Sequence, residues 1–260
     1  MSTLLEIRDL TVGVGEKIIL RGLDLTINAG ETHVLMGQNG TGKSTLASAI
    51  MGNPAYTVRS GSILFEGEDI TNETADKRAR RGLFLSFQNP EEVPGITLEN
   101  FMRTAKSAVT GEKPRVMQFR KDMNAAMDKL NMPQGYASRE LNVGFSGGEK
   151  KKAEILQLLL LNPKLAILDE ADSGLDVDAI RIVSDGVRRY RNEGNALLII
   201  THNAKLVEEL TVDYVHVLDQ KKISLTGSAE LITRITEGGF AGLGDNKADK
   251  GGASASREAQ

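Results

Sequence analysis

The residues from Gly37 to Ser44 read Gly-Gln-Asn-Gly-Thr-Gly-Lys-Ser and match the phosphate-loop pattern G-x-x-x-x-G-K-S/T without a mismatch. Glycine lets a backbone curl so that successive N–H groups point inward at phosphate oxygens. Gly37, Gln38, Asn39, Gly40, Thr41, Gly42, Lys43, Ser44 and Thr45 are therefore the expected nucleotide ligands. Lys43 supplies a mobile positive charge for the β- and γ-phosphates, and the helix that should begin there adds its dipole. The Ser44 hydroxyl is placed to ligate a magnesium ion.

Further features follow in a fixed order. Gln88 closes an apolar strand, and Ser146-Gly147-Gly148-Glu149 opens a helix. Asp169-Glu170 ends an apolar strand, Ser173-Gly174-Leu175-Asp176 follows it directly, and His202 ends another strand. An Asp-Glu pair alone would be surface charge. At the tip of a buried strand it can handle a metal ion and a water molecule, and Glu170 can polarise or deprotonate that water. Gln88 has a plain reading as a strand-end polar residue and a sharper one as an amide that touches both metal and water. His33 and His216 lie inside strands and read as packing residues.

These side chains need a scaffold. The continuous apolar run Leu165–Leu168 fits a strand of a parallel sheet covered on both faces. Leu83–Phe87 and Leu197–Thr201 read as further apolar strands, and the alternation of strand and helix gives an α/β core. Leu4–Leu10, Leu23–Ile27 and Ser62–Phe65 read as short strands of a small antiparallel sheet into which the phosphate-loop strand His33–Met36 is spliced, punctuated by turns at Gly13-Val14-Gly15 and Asn28-Ala29-Gly30. Gln88 to Gly95 contains two prolines and a glycine, so regular structure is expected to stop there. Val116, Phe119, Met123, Met127 and Leu130 recur at helical spacing and predict a core-facing stripe. Helices are also expected over Ser146–Leu161 and over the stripe Val177, Ile180, Val183, Val187 and Tyr190, with a late hairpin at Asp213–Leu218 and Ile223–Thr226. From Gly238 the chain is rich in Gly, Ala, Ser and charge and reads as a disordered tail.

Composition narrows the function. The chain has 260 residues, 40% of them hydrophobic, and a formal charge of −3, which argues against sequence-independent nucleic-acid binding. It has no cysteine, so it has no thiolate with which to hold an iron–sulfur cluster. No signal peptide is read at its start, and no apolar run approaches the ~18–20 residues that span a bilayer. The expectation is a cytoplasmic protein without direct membrane insertion.

The motifs, taken together and in order, resemble the ATP-binding cassette (ABC) ATPase family from about Leu4 to Ile235. That resemblance implies an α/β P-loop NTPase with a RecA-like parallel-sheet core, a small antiparallel β subdomain and an inserted helical subdomain at about 97–162, the ATPase domain ending near 237. It implies ATP and Mg²⁺ as cofactors, with Ser44, Gln88 and Asp169 at the metal. Asp169 resembles the acid that holds the ion through its water shell. Glu170 becomes the base, His202 the switch histidine at the γ-phosphate, and Lys43 the cation that completes catalysis. Gln88 would sense the γ-phosphate and move the helical insert. Ser146, Gly147, Gly148 and Glu149 resemble the signature turn, which faces a nucleotide held by a second subunit. Hydrolysis then requires a transient head-to-tail homodimer, with Ser173, Gly174, Leu175 and Asp176 at its seam.

Within the family, Phe145-Ser146-Gly147-Gly148-Glu149-Lys150-Lys151-Lys152, the Gln88–Gly95 loop and Asp169-Glu170-Ala171-Asp172 are similar to the SufC branch. Those soluble ATPases work with SufB and SufD scaffold proteins in iron–sulfur cluster assembly. The alternative is the nucleotide-binding subunit of a membrane transporter. A nucleic-acid-associated ATPase would need a basic groove or long coiled-coil arms, and neither is seen. One departure concerns the base: Val14-Gly15 stands where the family usually offers an aromatic ring, which implies weak affinity and poor discrimination against GTP. Lys150–Lys152 read as a solvated helix face, or alternatively as a source of a cation that pairs with Glu170 and idles the lone subunit.

Overall fold

A computed structural model describes residues 2–201 and 205–240. The chain opens with β1 (Thr3–Val14) and β2 (Lys17–Asn28), an antiparallel hairpin. Both run longer than their apolar cores suggested. Gly13 and Val14 stay in the strand, and the turn falls after them. β3 (Thr32–Met36) leads through the phosphate loop into α1 (Lys43–Met51). β4 (Thr57–Phe65) and β5 (Glu68–Asp69) return to the first hairpin and complete a sheet of order β2-β1-β4-β5.

α2 (Ala75–Arg81), β6 (Leu83–Ser86), β7 (Val93–Thr97), α3 (Leu98–Thr110) and α4 (Val116–Lys129) follow. A 3₁₀ turn at Gln134–Ser138 precedes β8 (Glu140–Leu141) and α5 (Gly147–Leu161). The remainder is β9 (Leu165–Asp169), α6 (Val177–Tyr190), β10 (Ala196–Ile200), β11 (Tyr214–Asp219), β12 (Lys222–Gly227) and α7 (Glu230–Gly238).

The second sheet has the order β12-β11-β3-β10-β9-β6 and is parallel except for the β12 edge. The phosphate-loop strand β3 is thus not spliced into the antiparallel sheet as expected but pairs in parallel with β10 and β11. Every residue of β3, β9 and β10, Asp169 included, is buried, because helices or the first sheet cover both faces. Alternation decides which core each side chain joins. Val34, Met36, Ala166, Leu168, Leu197 and Ile199 pack with the helices. Leu35, Leu165, Ile167, Leu198 and Ile200 pack with α1 and the antiparallel sheet. The adjacent strands β3, β10, β9 and β6 all end on the same edge. Their carboxyl ends deliver the phosphate loop, Thr201, Glu170 and Gln88 to one place.

Regular structure stops after Ser86 as expected but resumes earlier than the prolines suggested. Val93–Thr97 forms a short edge strand, paired with β8 only at Val93↔Leu141 and Thr97↔Glu140, with a register break between. Pro94 therefore never has to donate a ladder hydrogen bond. Phe119, Met123, Met127 and Leu130 are buried as the stripe predicted, whereas Val116, at the first turn of α4, is exposed. Order also continues past Gly238, which closes α7, to Phe240, which packs on the helical core. The rest of the expected tail lies outside the described residues.

Candidate nucleotide site

Two glycines show why the loop after β3 must be what it is. A Cβ on Gly37 would meet the Leu218 carbonyl oxygen at 2.5 Å, and Gly42 sits at φ 110° with Leu20 2.8 Å from where its Cβ would be. α1 starts immediately afterwards with no side-chain cap and no acid in its first turn. Its leading N–H groups and its dipole are thus turned to the cleft. Lys43 is buried, and its Nζ donates to the Gly37 and Gln38 carbonyl oxygens at 2.8 and 3.1 Å. Burial lowers its pKa, against the opposing pull of Glu170 and Asp169.

Asp169 and Glu170 share a strand end but differ in surroundings. Burial raises the Asp169 pKa, which a hydrogen bond from Ser44 opposes. Asp169 Oδ1 is buried with no hydrogen-bond partner among the described residues. Glu170 adopts φ 49°, a conformation uncommon outside glycine and costly enough to need surrounding support. Its N–H donates to the Ile200 carbonyl at 2.8 Å. Gln88 Nε2 donates to Glu170 Oε2 at 2.5 Å. A cleft of about 420 Å³ joins these parts, lined by Ile19, Asn39, Gly40, Gly42, Lys43, Ser44, Thr45, Gln88 and Glu170.

The structure thus brings the phosphate loop, Gln88, Asp169 and Glu170 together. It does not bring the Ser146 turn into that cleft. Ser146 is the exposed N-cap of α5 and forms a reciprocal capping box with Glu149: Glu149 N donates to Ser146 Oγ at 3.3 Å, and Ser146 N donates to Glu149 Oε2 at 2.7 Å. Ser173, Gly174 and Asp176 form an exposed turn, with Leu175 half-buried; Asp176 caps α6 by accepting from Ala179 N at 2.8 Å. His202 lies outside the described residues. Thr201, just before it, donates to both oxygens of buried Asp172 at 3.1 Å.

The lysine run is not a solvated face. Lys150 pairs with Glu92 at 3.1 Å, and Lys152 donates to the Asn131 carbonyl. Lys151 is buried and donates to Glu154 Oε2 at 2.9 Å and to the Phe87 carbonyl at 2.5 Å. Glu154 also accepts from Ser86 Oγ at 3.1 Å and Phe87 N at 2.8 Å. Burial raises its pKa, with Lys151 opposing. Lys151 and Glu154 lie where α5 meets Ser86 and Phe87, and their charges stay buried there as a hydrogen-bonded internal pair. In sequence the trace was no more than a Lys and a Glu at i, i+3 at the polar end of the helix. Ile19 was also missed, because nothing in sequence marks a single apolar residue as a cleft wall. His33 and His216 pack as expected, and additionally bond to each other at 2.9 Å.

A glycine-rich loop before a helix, a buried lysine and a strand-end acid pair beside a glutamine define a P-loop ATPase of the ABC type. Residues 20–173 match the family described as ABC transporter, and the chain belongs to that family. It is 48% identical to a probable ABC transporter ATP-binding protein of Streptococcus pyogenes serotype M3, over 93% of this chain and 95% of that one. It is 41% identical to the probable ATP-dependent transporter SufC of Escherichia coli (strain K12), over 92% and 98%. Among solved structures it resembles an ATP-binding subunit of an ABC transporter with a TM-score of 0.76 at 26% identity, over 90% and 93%. The chain is an ATPase.

Proposed function

We propose that this ATPase powers iron–sulfur cluster assembly on a soluble SufB/SufD-type scaffold, through ATP-driven head-to-tail dimerisation in the cytoplasm. The observation that carries this reading is the run Phe145–Lys152 in its structural setting. Lys150, Lys151 and Glu154 tie the signature helix to Phe87, Glu92 and thus to the Gln88 loop. These are the positions where the sequence leaves the usual transporter pattern and follows the SufC branch, and a relative named SufC aligns over nearly its whole length. Among the described residues no helix is long and apolar enough to cross a membrane. The region from 97 to 162 is assigned as the helical subdomain that answers to the partner.

The cleft fits a magnesium ion. Asp169 Oδ1, buried and without a hydrogen-bond partner among the described residues, and the Ser44 hydroxyl bonded to Asp169 are hard-oxygen donors, and Gln88 lines the same cleft. Bound Mg²⁺ would neutralise charge on the β- and γ-phosphate oxygens. Lys43 holds the phosphates, Gln88 orients Glu170, and Glu170 takes a proton from the attacking water. Ser146, Gly147 and Gly148 reach the γ-phosphate from the second copy, with Ser173–Asp176 at the seam.

An apolar groove of about 310 Å³ next to the Gln88 loop, lined by Leu83, Leu85, Phe87, Phe101 and Val109, offers the scaffold a docking surface. Phe87 is 59% exposed there. The same groove would serve a membrane subunit, and the transporter names of several relatives favour that second reading. Isolation of the tagged chain from native lysate without detergent separates the two. Recovery in a soluble, iron-binding complex supports cluster assembly; recovery only with a detergent-requiring integral membrane protein overturns it.

A further inference from the structure

Behind the Ser146 turn sits a cluster that the phosphate cleft does not use. The Tyr136 hydroxyl donates to Glu149 Oε1, while Glu149 Oε2 accepts from Ser146 N at 2.7 Å. The Arg139 guanidinium lies 4.4 Å from the Tyr136 ring centroid and 4.6 Å from that of Phe145. The two rings meet edge to face at 4.9 Å. Arg139 Nη2 also donates to the Val143 and Gly144 carbonyls at 3.4 and 3.3 Å, so it grips the two residues that lead into Phe145 and Ser146.

This arrangement divides labour within Ser146. Its backbone N–H is held by a short, charge-assisted bond. Its side-chain oxygen is only 3.3 Å from Glu149 N, a long contact that the hydroxyl can leave at little cost. The residue is exposed. Tyr136 fixes the carboxylate that fixes the backbone, and Arg139 fixes the approach of the chain. The turn is thereby rigid while its hydroxyl stays available to an outside acceptor, which is the preorganisation a transition-state donor needs.

We propose that Tyr136 and Arg139 are positioning residues for catalysis in the partner copy's site: acting through Glu149 and the 143–145 backbone, they aim the Ser146 turn at the γ-phosphate bound by the second subunit. The inference rests on the head-to-tail reading above. It goes beyond packing, because Tyr136→Phe keeps the ring, its edge-to-face contact and its cation–π partner, and removes only the hydroxyl that holds Glu149. Arg139→Lys removes the planar stacking group and should reproduce the defect.

The test uses full-length variants. Tyr136→Phe should melt like the wild type and bind ATP with a Kd within about twofold of it, while kcat falls by about tenfold or more from misorientation alone. Tyr136→Phe is then mixed with Glu170→Gln, and Ser146→Ala is mixed with Glu170→Gln as the reference. In a mixed head-to-tail dimer one site receives an intact Glu170 from one chain and an intact turn from the other, so two impaired chains should recover activity above either alone. If the Ser146→Ala mixture recovers but Tyr136→Phe alone keeps wild-type kcat, the proposal is overturned and the dimer reading stands. The proposal is likewise overturned, and the dimer reading again stands, if Tyr136→Phe is impaired yet gains nothing from mixing. If the Ser146→Ala mixture fails to recover, the dimer reading falls, and the proposal with it.

Discussion

Gln88 Nε2 and Glu170 Oε2 meet at 2.5 Å across the mouth of the phosphate cleft, although the residues are 82 positions apart. Gln88 is carried by the end of β6 and Glu170 by the end of its neighbour β9, so the contact reports the relative placement of two adjacent strands. It aims a carboxylate whose own backbone is held at φ 49°. Removing the carboxylate's charge by Glu170→Gln should leave ATP binding intact and lower hydrolysis by about 10²–10⁴-fold. Gln88→Ala should lower kcat by a smaller factor, up to about 10² through misplacement of the carboxylate. Phosphate release and nucleotide titration, measured on the same samples, check both. Wild-type turnover in Glu170→Gln would remove Glu170 as the base.

The Lys151–Glu154 pair should be worth more broken than replaced. Either single change, Lys151→Ala or Glu154→Ala, strands a buried charge and should cost about 3–5 kcal/mol of stability. Replacing both with apolar residues of similar volume should cost much less than the sum. Urea unfolding of the two single variants and the double variant measures the coupling. Additive losses would mean the two groups do not depend on one another.

Stability should fall on mild acidification through the buried histidine pair. His33 Nε2 contacts Glu31 Oε2 at 3.0 Å, His33 Nδ1 contacts His216 Nε2 at 2.9 Å, and His216 Nδ1 contacts Thr226 Oγ1 at 2.9 Å. Burial, then the neighbouring His33, pushes His216 down to about 4. Burial also lowers His33, with Glu31 and Asp213 opposing. The folded pKa values lie below the unfolded value of 6.5, so between them the unfolded chain binds more protons. The contribution is complete above pH 6.5 and is lost as pH falls through that window toward about 4. Urea midpoints from pH 8 downward should show this decline, and His216→Gln should flatten it.

Base selectivity should be weak. The cleft offers Ile19, an aliphatic wall, and among the described residues no aromatic lines it. Stacking on a ring is worth on the order of 1–3 kcal/mol per base in nucleic-acid complexes, and affinity without it resides in the phosphate loop. Calorimetric titration of the isolated chain should give ATP and GTP dissociation constants within about tenfold. A tight isotherm exclusive to ATP would contradict this expectation.

Much of the site was legible because local chemistry dictated it. Gly37 and Gly42 are required by close approach and positive φ, and Asp169–Glu170 by the apolar strand ahead of them. The doubly covered burial of β9 followed from its unbroken apolar run, whereas the place of β3 between β11 and β10 is set by pairings that no local pattern encodes. What escaped the sequence depended on long-range packing. The burial of Lys151 is decided by β6 lying against α5, some 64 residues away in sequence. β7 survives Pro94 because its partner makes no demand at that position. Arg78, buried among the Ala49, Ile50, Thr71 and Glu73 carbonyls, anchors α2 from within a run of basic residues that looks solvated when read alone.

Central to the proposed function is that this cleft is half a site, completed by the Ser146 turn of a second copy. Sedimentation velocity of full-length Glu170→Gln with and without saturating Mg-ATP tests it most directly. A shared site predicts a monomer without nucleotide and a dimer with ATP, lost again when Ser146→Ala is added. A chain that stays monomeric at saturating ATP while the wild type hydrolyses at a rate per chain independent of concentration would contradict it.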